Sequence, residues 1–276
     1  MATETSSVDK ARQPAALRLE DVHFAYPAAG ESSHDVMLGL DVQIDYGKIV
    51  GLVGRNGSGK STLLDIIRGK LVPQRGQVRV GKTLVSADSR LVNLPQVGVI
   101  SQRPDAGLAP TMTVYENYVL ATDHERSSLR WAYSSQRARG CRDLLAKANM
   151  DLEVKHNEQV RFLSGGQQQA LSILLALQSS APILLMDEPT AALDPFAAER
   201  VLDLAISETD SRKGSLLLVS HRIRDIVERC SRILVLRGGK IGEDIDTAAR
   251  TPTEQDLLGI MANSTSHPRT LGGTAQ

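Results

Sequence analysis

Residues 54–61 constrain this chain more than any other stretch. The apolar run 49–53 before them predicts a buried strand, and residues 62–67 after them predict a helix with one apolar face. In that context backbone N–H groups of the loop turn inward around a phosphate, and the helix start adds partial positive charge. A glycine-rich turn without a ligand is the alternative, and the flanking strand and helix make it rare. The stretch matches the phosphate-binding pattern G-x-x-x-x-G-K-[ST] as Gly54-Arg55-Asn56-Gly57-Ser58-Gly59-Lys60-Ser61.

This pattern assigns specific chemistry to its last two residues. We expect Lys60 to reach the β- and γ-phosphates of a nucleotide, and the Ser61 hydroxyl to ligate Mg²⁺. The sequence therefore predicts a nucleotide site with Mg²⁺ bound between the protein and the phosphates.

Composition excludes several other classes of protein. Lys and Arg number 32, as do Asp and Glu, and this zero net charge argues against non-specific nucleic-acid binding. Cys141 and Cys230 lie far apart without metal-binding spacing, which predicts reduced thiols in a cytosolic protein. No apolar run reaches the length of a membrane span, and the N-terminus lacks the apolar segment of a secretory signal. Residues 1–15 and 263–276 are rich in small polar residues, and we expect them to be disordered.

The remaining chain, residues 16–262, predicts one α/β domain. Residues 17–26 and 36–44 alternate as paired strands, and residues 77–80 and 97–102 predict two more strands. After residue 163, buried strands alternate with helices, which indicates a parallel sheet covered on both faces. The predicted fold is a P-loop NTPase core with a parallel sheet, an N-terminal antiparallel β subdomain and an α-helical insert.

The helical insert spans residues 104–163 and begins with a capping box, Thr113 with Glu116. Its aromatic residues have two interpretations: they form the core of a helical subdomain, or they provide a docking surface for a partner. For its arginines we favour a solvated face over a binding patch. The aromatic residues are Tyr115, Tyr118, Trp131 and Tyr133, and the arginines are Arg126, Arg130, Arg137, Arg139 and Arg142.

Two carboxylates follow the apolar run 183–186. A strand buried on both faces presents polar groups at its end, and in a parallel sheet that end faces the ligand crevice. We expect Asp187 to hold Mg²⁺ and Glu188 to orient or deprotonate an attacking water. An acidic turn without function is the alternative, and the neighbouring phosphate loop disfavours it.

A second anion site is predicted at residues 163–167, Leu163-Ser164-Gly165-Gly166-Gln167. A Ser and two glycines that open a helix expose N–H groups toward an anion. One nucleotide needs one phosphate loop, so the second site is explained if it completes the nucleotide site of a neighbouring subunit. A simple serine N-cap is the alternative interpretation.

With these motifs, residues 17–262 resemble the ATP-binding cassette (ABC) ATPases, whose signature is the pentapeptide at 163–167. Tyr26 matches the aromatic residue that stacks on adenine, although a core aromatic residue remains the alternative. Gln102 matches the glutamine that contacts Mg²⁺ and the transport partner, and His221 the histidine that senses the γ-phosphate. The resemblance implies a nucleotide site of Tyr26, Gly54, Arg55, Asn56, Gly57, Ser58, Gly59, Lys60, Ser61 and Thr62, completed in trans by Ser164, Gly165, Gly166 and Gln167. It implies catalytic roles for Glu188, His221 and Gln102, and Mg²⁺ ligation by Ser61, Gln102 and Asp187.

The chain departs from the family pattern at two places. Gln168 follows the signature where a basic residue is common, and Ala191 replaces a frequent Ser in the loop 191–194, which matches the loop that crosses the dimer. Both features resemble a little-described group of bacterial importer ATPases, relatives of which are linked to aromatic amino-acid uptake.

The resemblance implies an ATPase subunit that binds ATP and Mg²⁺ and energises solute import. The implied partners are a second cassette, integral membrane permease subunits and an extracytoplasmic solute-binding protein, with no nucleic acid. The implied location is peripheral, on the cytoplasmic face of the inner membrane. Two alternatives remain: a soluble ABC ATPase acting on nucleic acid, ribosomes or protein assembly, and a nucleotide-binding module without turnover. The single cassette and the lack of a basic face disfavour the first. The presence of both Glu188 and His221 disfavours the second.

Overall fold

The computed structural model describes residues 15–27, 34–86, 97–103, 107–122 and 134–262. Most of the two expected disordered segments, 1–14 and 263–276, lies outside the described residues, as do Arg126, Arg130, Trp131 and Tyr133. The strands are β1 (Ala15–Tyr26), β2 (His34–Asp45), β3 (Ile49–Val53), β4 (Arg75–Val80), β5 (Thr83–Ser86), β6 (Gly98–Ile100), β7 (Leu184–Asp187), β8 (Leu216–Val219), β9 (Arg232–Arg237) and β10 (Lys240–Asp246). The helices are α1 (Lys60–Ile67), α2 (Val114–Thr122), α3 (Ser135–Ala146), α4 (Gly165–Ala176), α5 (Pro195–Ser211), α6 (Ile223–Arg229) and α7 (Glu254–Ala262).

The strands form two sheets. The N-terminal sheet is antiparallel, with the order β2-β1-β4-β5. The larger sheet has the order β10-β9-β3-β8-β7-β6, in which β10 pairs antiparallel with β9 and the other pairs are parallel. The predicted fold class is therefore confirmed: a parallel core sheet, an antiparallel β subdomain and a helical insert.

The larger sheet lies between two apolar layers, and its residues alternate between them. Val50 and Leu52 of β3 pack with the N-terminal sheet and α1, whereas Val53 packs in the other layer. In β8, Leu217 and Val219 join the first layer, and Leu216 and Leu218 join the second, which contains the other helices. This alternation explains why the core strands are continuously apolar, since both faces of each strand are buried.

Glycine allows a close contact between the larger sheet and the second layer. A Cβ at Gly51 of β3 would lie 2.5 Å from Ile226 Cγ2, so a larger residue would push α6 away from the sheet. Gly51 therefore sets the spacing between α6 and the strand that carries the phosphate loop.

The helical insert shares the second apolar layer with the core. The predicted capping box is present at α2: Glu116 N–H donates to Thr113 Oγ1 at 3.1 Å, and Thr113 N–H donates to Glu116 Oε2 at 2.7 Å. Tyr115 is 5% exposed and packs with Leu145 and Leu171 in that layer. Tyr115 is thus a core residue, as the first interpretation of the aromatic cluster expects.

Two elements differ from the sequence-based expectation. The short strand β5 and the helix α7 were not predicted, and β1 begins at Ala15, one residue before the expected domain start. A capping box identifies α7, because Asp256 N–H donates to Thr253 Oγ1 at 3.1 Å and Thr253 N–H donates to Asp256 Oδ2 at 2.9 Å. This T-x-x-D spacing was a usable sequence signal.

Candidate functional site

The phosphate loop connects the end of β3 to the start of α1. Gly57 and Gly59 adopt φ values of 77° and 101°, in the left-handed region that favours glycine. A Cβ at Gly59 would lie 2.7 Å from Met37 Cε, and one at Gly54 would lie 2.5 Å from the Leu236 carbonyl oxygen. The loop is therefore held closely between β2 and β9, and its shape requires glycine at these positions.

The first turn of α1 is suited to an anion. Its N-cap residue is Gly59, which has no side chain that could accept a hydrogen bond from the first N–H groups of the helix. Those N–H groups carry the positive end of the helix dipole. A phosphate at this helix start would take the place of a capping side chain.

Lys60 is the cation of the loop. Its ammonium donates to the carbonyl oxygens of Gly54 at 2.7 Å and Arg55 at 3.2 Å. Burial lowers the pKa of Lys60 below its ordinary value, while the negative charges of Glu188 and Asp187 act in the opposite direction. The side chain thus already lies along the loop, with its ammonium against the loop backbone.

The two predicted carboxylates lie at the end of β7. Burial raises the pKa of Asp187, and the positive charge of Arg68 partly opposes this shift. Glu188 has a φ of 50°, in the left-handed region that is uncommon for a non-glycine residue, and its N–H donates to the Val219 carbonyl at 2.9 Å. This backbone turn directs Glu188 away from the strand, and strained residues of this kind concentrate at functional sites.

His221 contacts the second carboxylate. Its Nε2 lies 2.5 Å from Glu188 Oε1, and it follows β8, the strand next to β7. The His221 side chain is 56% exposed and that of Glu188 is 21% exposed, so the pair faces solvent rather than the core. A group bound beside the carboxylate would therefore be within reach of the imidazole.

These groups line one open cleft of about 390 Å³, within the size range of small-molecule sites. Besides the predicted residues, the cleft includes His34 and Val36, which the sequence analysis did not identify. Both lie at the start of β2, where His34 pairs with Tyr26 across the sheet. The predicted residues in the lining are Tyr26, Asn56, Gly57, Gly59, Lys60, Ser61, Thr62, Asp187, Glu188 and His221.

Tyr26 lies at the rim of the cleft. Its ring packs edge-on against Phe24, with centroids 5.0 Å apart, and its hydroxyl lies 3.3 Å from Thr62 Oγ1. The side chain is nevertheless 41% exposed, so part of its surface is open to a planar ligand. Tyr26 is therefore a rim residue and not a fully buried core aromatic.

The remaining predicted residues do not line the cleft. Gly54, Arg55 and Ser58 belong to the loop but do not line the cleft. Gln102 lies two residues after Ile100, the last residue of β6, and Ile100 is in register with Met186 of β7, two residues before Glu188. Gln102 is exposed and lies outside the lining of this cleft.

The signature stretch forms a separate helix start. Ser164 caps α4 by accepting a hydrogen bond from Gln167 N–H at 3.3 Å, and Gln167 Oε1 accepts from Ser164 N–H at 3.1 Å. Ser164 and Gly165 are exposed. None of the residues 164–167 lines the cleft, so the start of α4 is separate from the phosphate loop within one chain.

The donor set of the cleft fits Mg²⁺ that is shared with a phosphate. Among the described residues there is no cluster of three or more His, Cys, Asp or Glu side chains that could hold a metal alone. Mg²⁺ is usually bound by one or two protein oxygen ligands together with substrate phosphates and water. The Ser61 hydroxyl and the Asp187 carboxylate, both in the lining, provide that kind of partial site.

Strand, glycine loop, helix start, lysine and paired carboxylates together define a P-loop nucleotide-binding protein. Comparison with known proteins narrows this class. The family model described as ABC transporter matches residues 37–191, more than half of the chain. The chain belongs to the ABC transporter family and is an ATPase of that family.

Individual relatives agree with this assignment. A tyrosine transport ATP-binding protein of Clostridioides difficile is 28% identical over 243 residues, covering 88% of this chain and 97% of the relative. A xylose/arabinose import ATP-binding protein of Sulfolobus acidocaldarius is 34% identical over 228 residues, covering 82% of this chain and 86% of the relative. A solved ATP-binding cassette, a dimer in a post-hydrolysis state with ADP and Pi, is 28% identical. The match has a TM-score of 0.69 and covers 83% of this chain and 98% of the cassette.

Within the part of the chain that the structure describes, no helix is long and apolar enough to cross a membrane.

Proposed function

We propose that this chain is the ATP-hydrolysing subunit of a solute importer and acts as a dimer on a separate membrane permease. The cleft that joins Lys60, Asp187, Glu188 and His221 supports the proposal, because it brings a cation of the glycine-rich loop together with two carboxylates and an imidazole. Import is supported by the xylose/arabinose import relative, and an amino-acid substrate by the tyrosine transport relative.

In this proposal the loop and α1 bind the phosphates of ATP. Backbone N–H groups of residues 54–62 surround the phosphates, with the Lys60 ammonium on the β- and γ-phosphates. Ser61, Asp187 and Gln102 would hold Mg²⁺, and the ion would supply positive charge against the phosphate oxygens. The exposed part of Tyr26 stacks on adenine at the rim of the cleft.

Glu188 is the proposed general base. Its carboxylate lies in the cleft beside the phosphate loop and takes a proton from the attacking water. His221, 2.5 Å from the same carboxylate, holds it in position and contacts the γ-phosphate region. The left-handed backbone of Glu188 fixes where this base points.

The variant Glu188→Gln tests the assignment, since it preserves size and hydrogen bonding but removes the charge. We expect ATP binding to persist while the steady-state rate of hydrolysis falls by about 10²- to 10⁴-fold, as for a lost general base. Glu243→Gln, at an exposed position of β10, is the matched control and should hydrolyse ATP at the wild-type rate. Near wild-type turnover by Glu188→Gln would show that another group activates the water.

We further propose that two chains share each ATP. The helix starts at Lys60 and Ser164 are separate within one chain, and a related cassette is a dimer. In a two-fold dimer, residues 164–167 of one protomer cover the phosphate loop of the other, which makes two equivalent sites.

Mixing two inactive variants tests this arrangement. In a heterodimer of Lys60→Ala and Gly165→Asp subunits, one site carries both lesions and the other carries neither. We expect partial ATPase activity to return on mixing, provided that the intact site can turn over alone. Two results together would refute the shared site. The Glu188→Gln protein would remain monomeric in ultracentrifugation with Mg-ATP, and the specific activity of the wild type would not depend on protein concentration.

The proposed transport partners are permease subunits and an extracytoplasmic solute-binding protein, with this chain peripheral on the cytoplasmic face of the inner membrane. Because Tyr115 is 5% exposed, it is unsuited to be a docking residue. Tyr118, also in α2, is only partly buried and remains a candidate docking residue. Tyr118→Glu should reduce co-purification with the proposed permease while leaving ATP binding unchanged. Undiminished co-purification would place docking elsewhere.

A further inference from the structure

Three consecutive glutamines follow the start of α4, and each donates its side-chain amide to a backbone carbonyl. Gln167 Nε2 donates to the Met150 oxygen at 2.9 Å, and Gln168 Nε2 donates to the Val160 oxygen at 3.1 Å. These two hydrogen bonds hold the segment that leads into α4. Gln169 Nε2 instead donates to the Ser101 oxygen at 3.2 Å, in a part of the chain 68 residues away.

Gln169 therefore connects the signature helix to the segment that carries Gln102. Its acceptor, the Ser101 carbonyl, belongs to the peptide group that joins Ser101 to Gln102. A hydrogen bond to this carbonyl restrains the rotation of that peptide plane, and with it the direction in which Gln102 leaves the backbone. The side-chain amides of the other two glutamines donate to the 150–163 segment instead.

The burial of Gln169 indicates a role in geometry more than in stability. The residue is 0% exposed, and its Oε1 has no hydrogen-bond partner among the described residues. A buried carbonyl oxygen without a partner costs free energy, so an apolar side chain of similar length would suit this position at least as well. Among the described residues, the side-chain amide of Gln169 donates to the Ser101 carbonyl.

α4 also contacts β6 at the other end of the strand. A Cβ at Gly98 would lie 3.6 Å from the Ala176 carbonyl oxygen, so β6 begins close to the last turn of α4. Gln169 and Ala176 are two helical turns apart. The strand is thus held against α4 near both of its ends, and a movement of α4 carries the Gln102 segment with it.

We propose that Gln169 is a positioning residue that orients Gln102 for Mg²⁺ through the Ser101 carbonyl, and so links the signature helix to the nucleotide site of the same chain. This inference rests on the proposed role of Gln102 as a Mg²⁺ ligand. It gives a function to the third of the consecutive glutamines near the start of α4.

Gln169→Met tests the proposal, because methionine has nearly the same length and no amide group. We expect turnover to fall about five- to tenfold, the size expected for one lost buried hydrogen bond, and the Mg²⁺ concentration at half-maximal rate to rise. Equilibrium binding of ATP without Mg²⁺ should stay unchanged, and the midpoint of thermal unfolding should stay close to that of wild type. Gln178→Met is the matched control, because Gln178 donates to the Leu174 oxygen at 2.8 Å near the far end of α4. Loss of this hydrogen bond should change neither turnover nor the Mg²⁺ concentration at half-maximal rate.

A double-mutant cycle with Gln102→Ala separates positioning from general stability. If Gln169 acts through Gln102, adding Gln169→Met to Gln102→Ala changes turnover and Mg²⁺ dependence no further. Effects that multiply in the double variant would overturn the proposal and assign Gln169 a structural role. If Gln169→Met does not fold, Gln169→Asn makes the same prediction, since its shorter side chain stops short of the Ser101 carbonyl.

Different results would contradict the roles of Gln102 and Gln169. Gln102→Ala with wild-type turnover and Mg²⁺ dependence would overturn the proposed role of Gln102, and the inference about Gln169 with it. Gln102→Ala that is impaired, alongside Gln169→Met with wild-type kinetics, would overturn only the inference.

Discussion

Removing the Lys60 ammonium should weaken ATP binding itself and not only turnover. In the structure this ammonium already bonds to the carbonyl oxygens of Gly54 and Arg55 at 2.7 and 3.2 Å, directly on the phosphate loop. A phosphate bound by the loop would meet this cation in a partly buried setting, where charge-assisted hydrogen bonds are strong. Lys60→Ala removes that interaction and changes no other residue of the loop.

The expected loss follows from the energy of such a bond. A hydrogen bond to a charged group contributes about 1.5–3 kcal/mol, which corresponds to a roughly 10- to 150-fold change in affinity. Because Lys60 must loosen its bonds to the loop carbonyls when it contacts phosphate, we expect the lower half of that range, about 10- to 40-fold.

Isothermal titration calorimetry with Mg-ATP measures this change directly. Lys48→Ala is the matched control, since Lys48 is exposed between β2 and β3, away from the cleft. Burial lowers the pKa of Lys60, so wild-type affinity should also decrease as the pH rises toward that lowered value. An affinity of Lys60→Ala within twofold of wild type would refute the assignment of Lys60 as the phosphate cation.

Three further predictions concern stability and reactivity. Burial raises the pKa of Asp187, so its charged form destabilises the nucleotide-free fold. Asp187→Asn should therefore raise the unfolding temperature at neutral pH, and this gain should disappear as the pH falls below about 3.8. The same variant should lose Mg²⁺-dependent hydrolysis. A lower unfolding temperature would contradict this. Gly76 has a φ of 84°, and a Cβ there would lie 2.2 Å from the Asp21 carbonyl oxygen. Gly76→Ala should therefore cost roughly 2–4 kcal/mol in urea unfolding, and a cost under about 1 kcal/mol would show that the sheet relaxes. Burial raises the pKa of Cys141 and Cys230 to about 12, so iodoacetamide at pH 8 should label neither thiol until the protein is denatured; rapid labelling of the folded protein would disprove this.

Local sequence patterns predicted most elements of the fold. The strand–glycine loop–helix unit of β3 and α1, the hairpin of β1 and β2 and the capping box at Thr113 are confirmed by the structure. Each depends on residues close together in sequence: glycines at a turn, alternating apolar residues, or a serine or threonine three positions before an acidic residue. The missed strand β5 has four residues, too few for its alternation to be distinguished from a loop.

The sequence by itself determined the class of protein, because the residues proposed to bind phosphate and to activate water are recognisable by their spacing around strand ends. Only the tertiary structure decided which residues share the cleft. His34 and Val36 enter it through the pairing of β2 with β1, and Gln102 lies outside its lining. The structure also decided the left-handed backbone of Glu188 and the bond from Gln169 to the Ser101 carbonyl. These features depend on contacts between residues far apart in the chain, which packing of the two layers against the central sheet brings together.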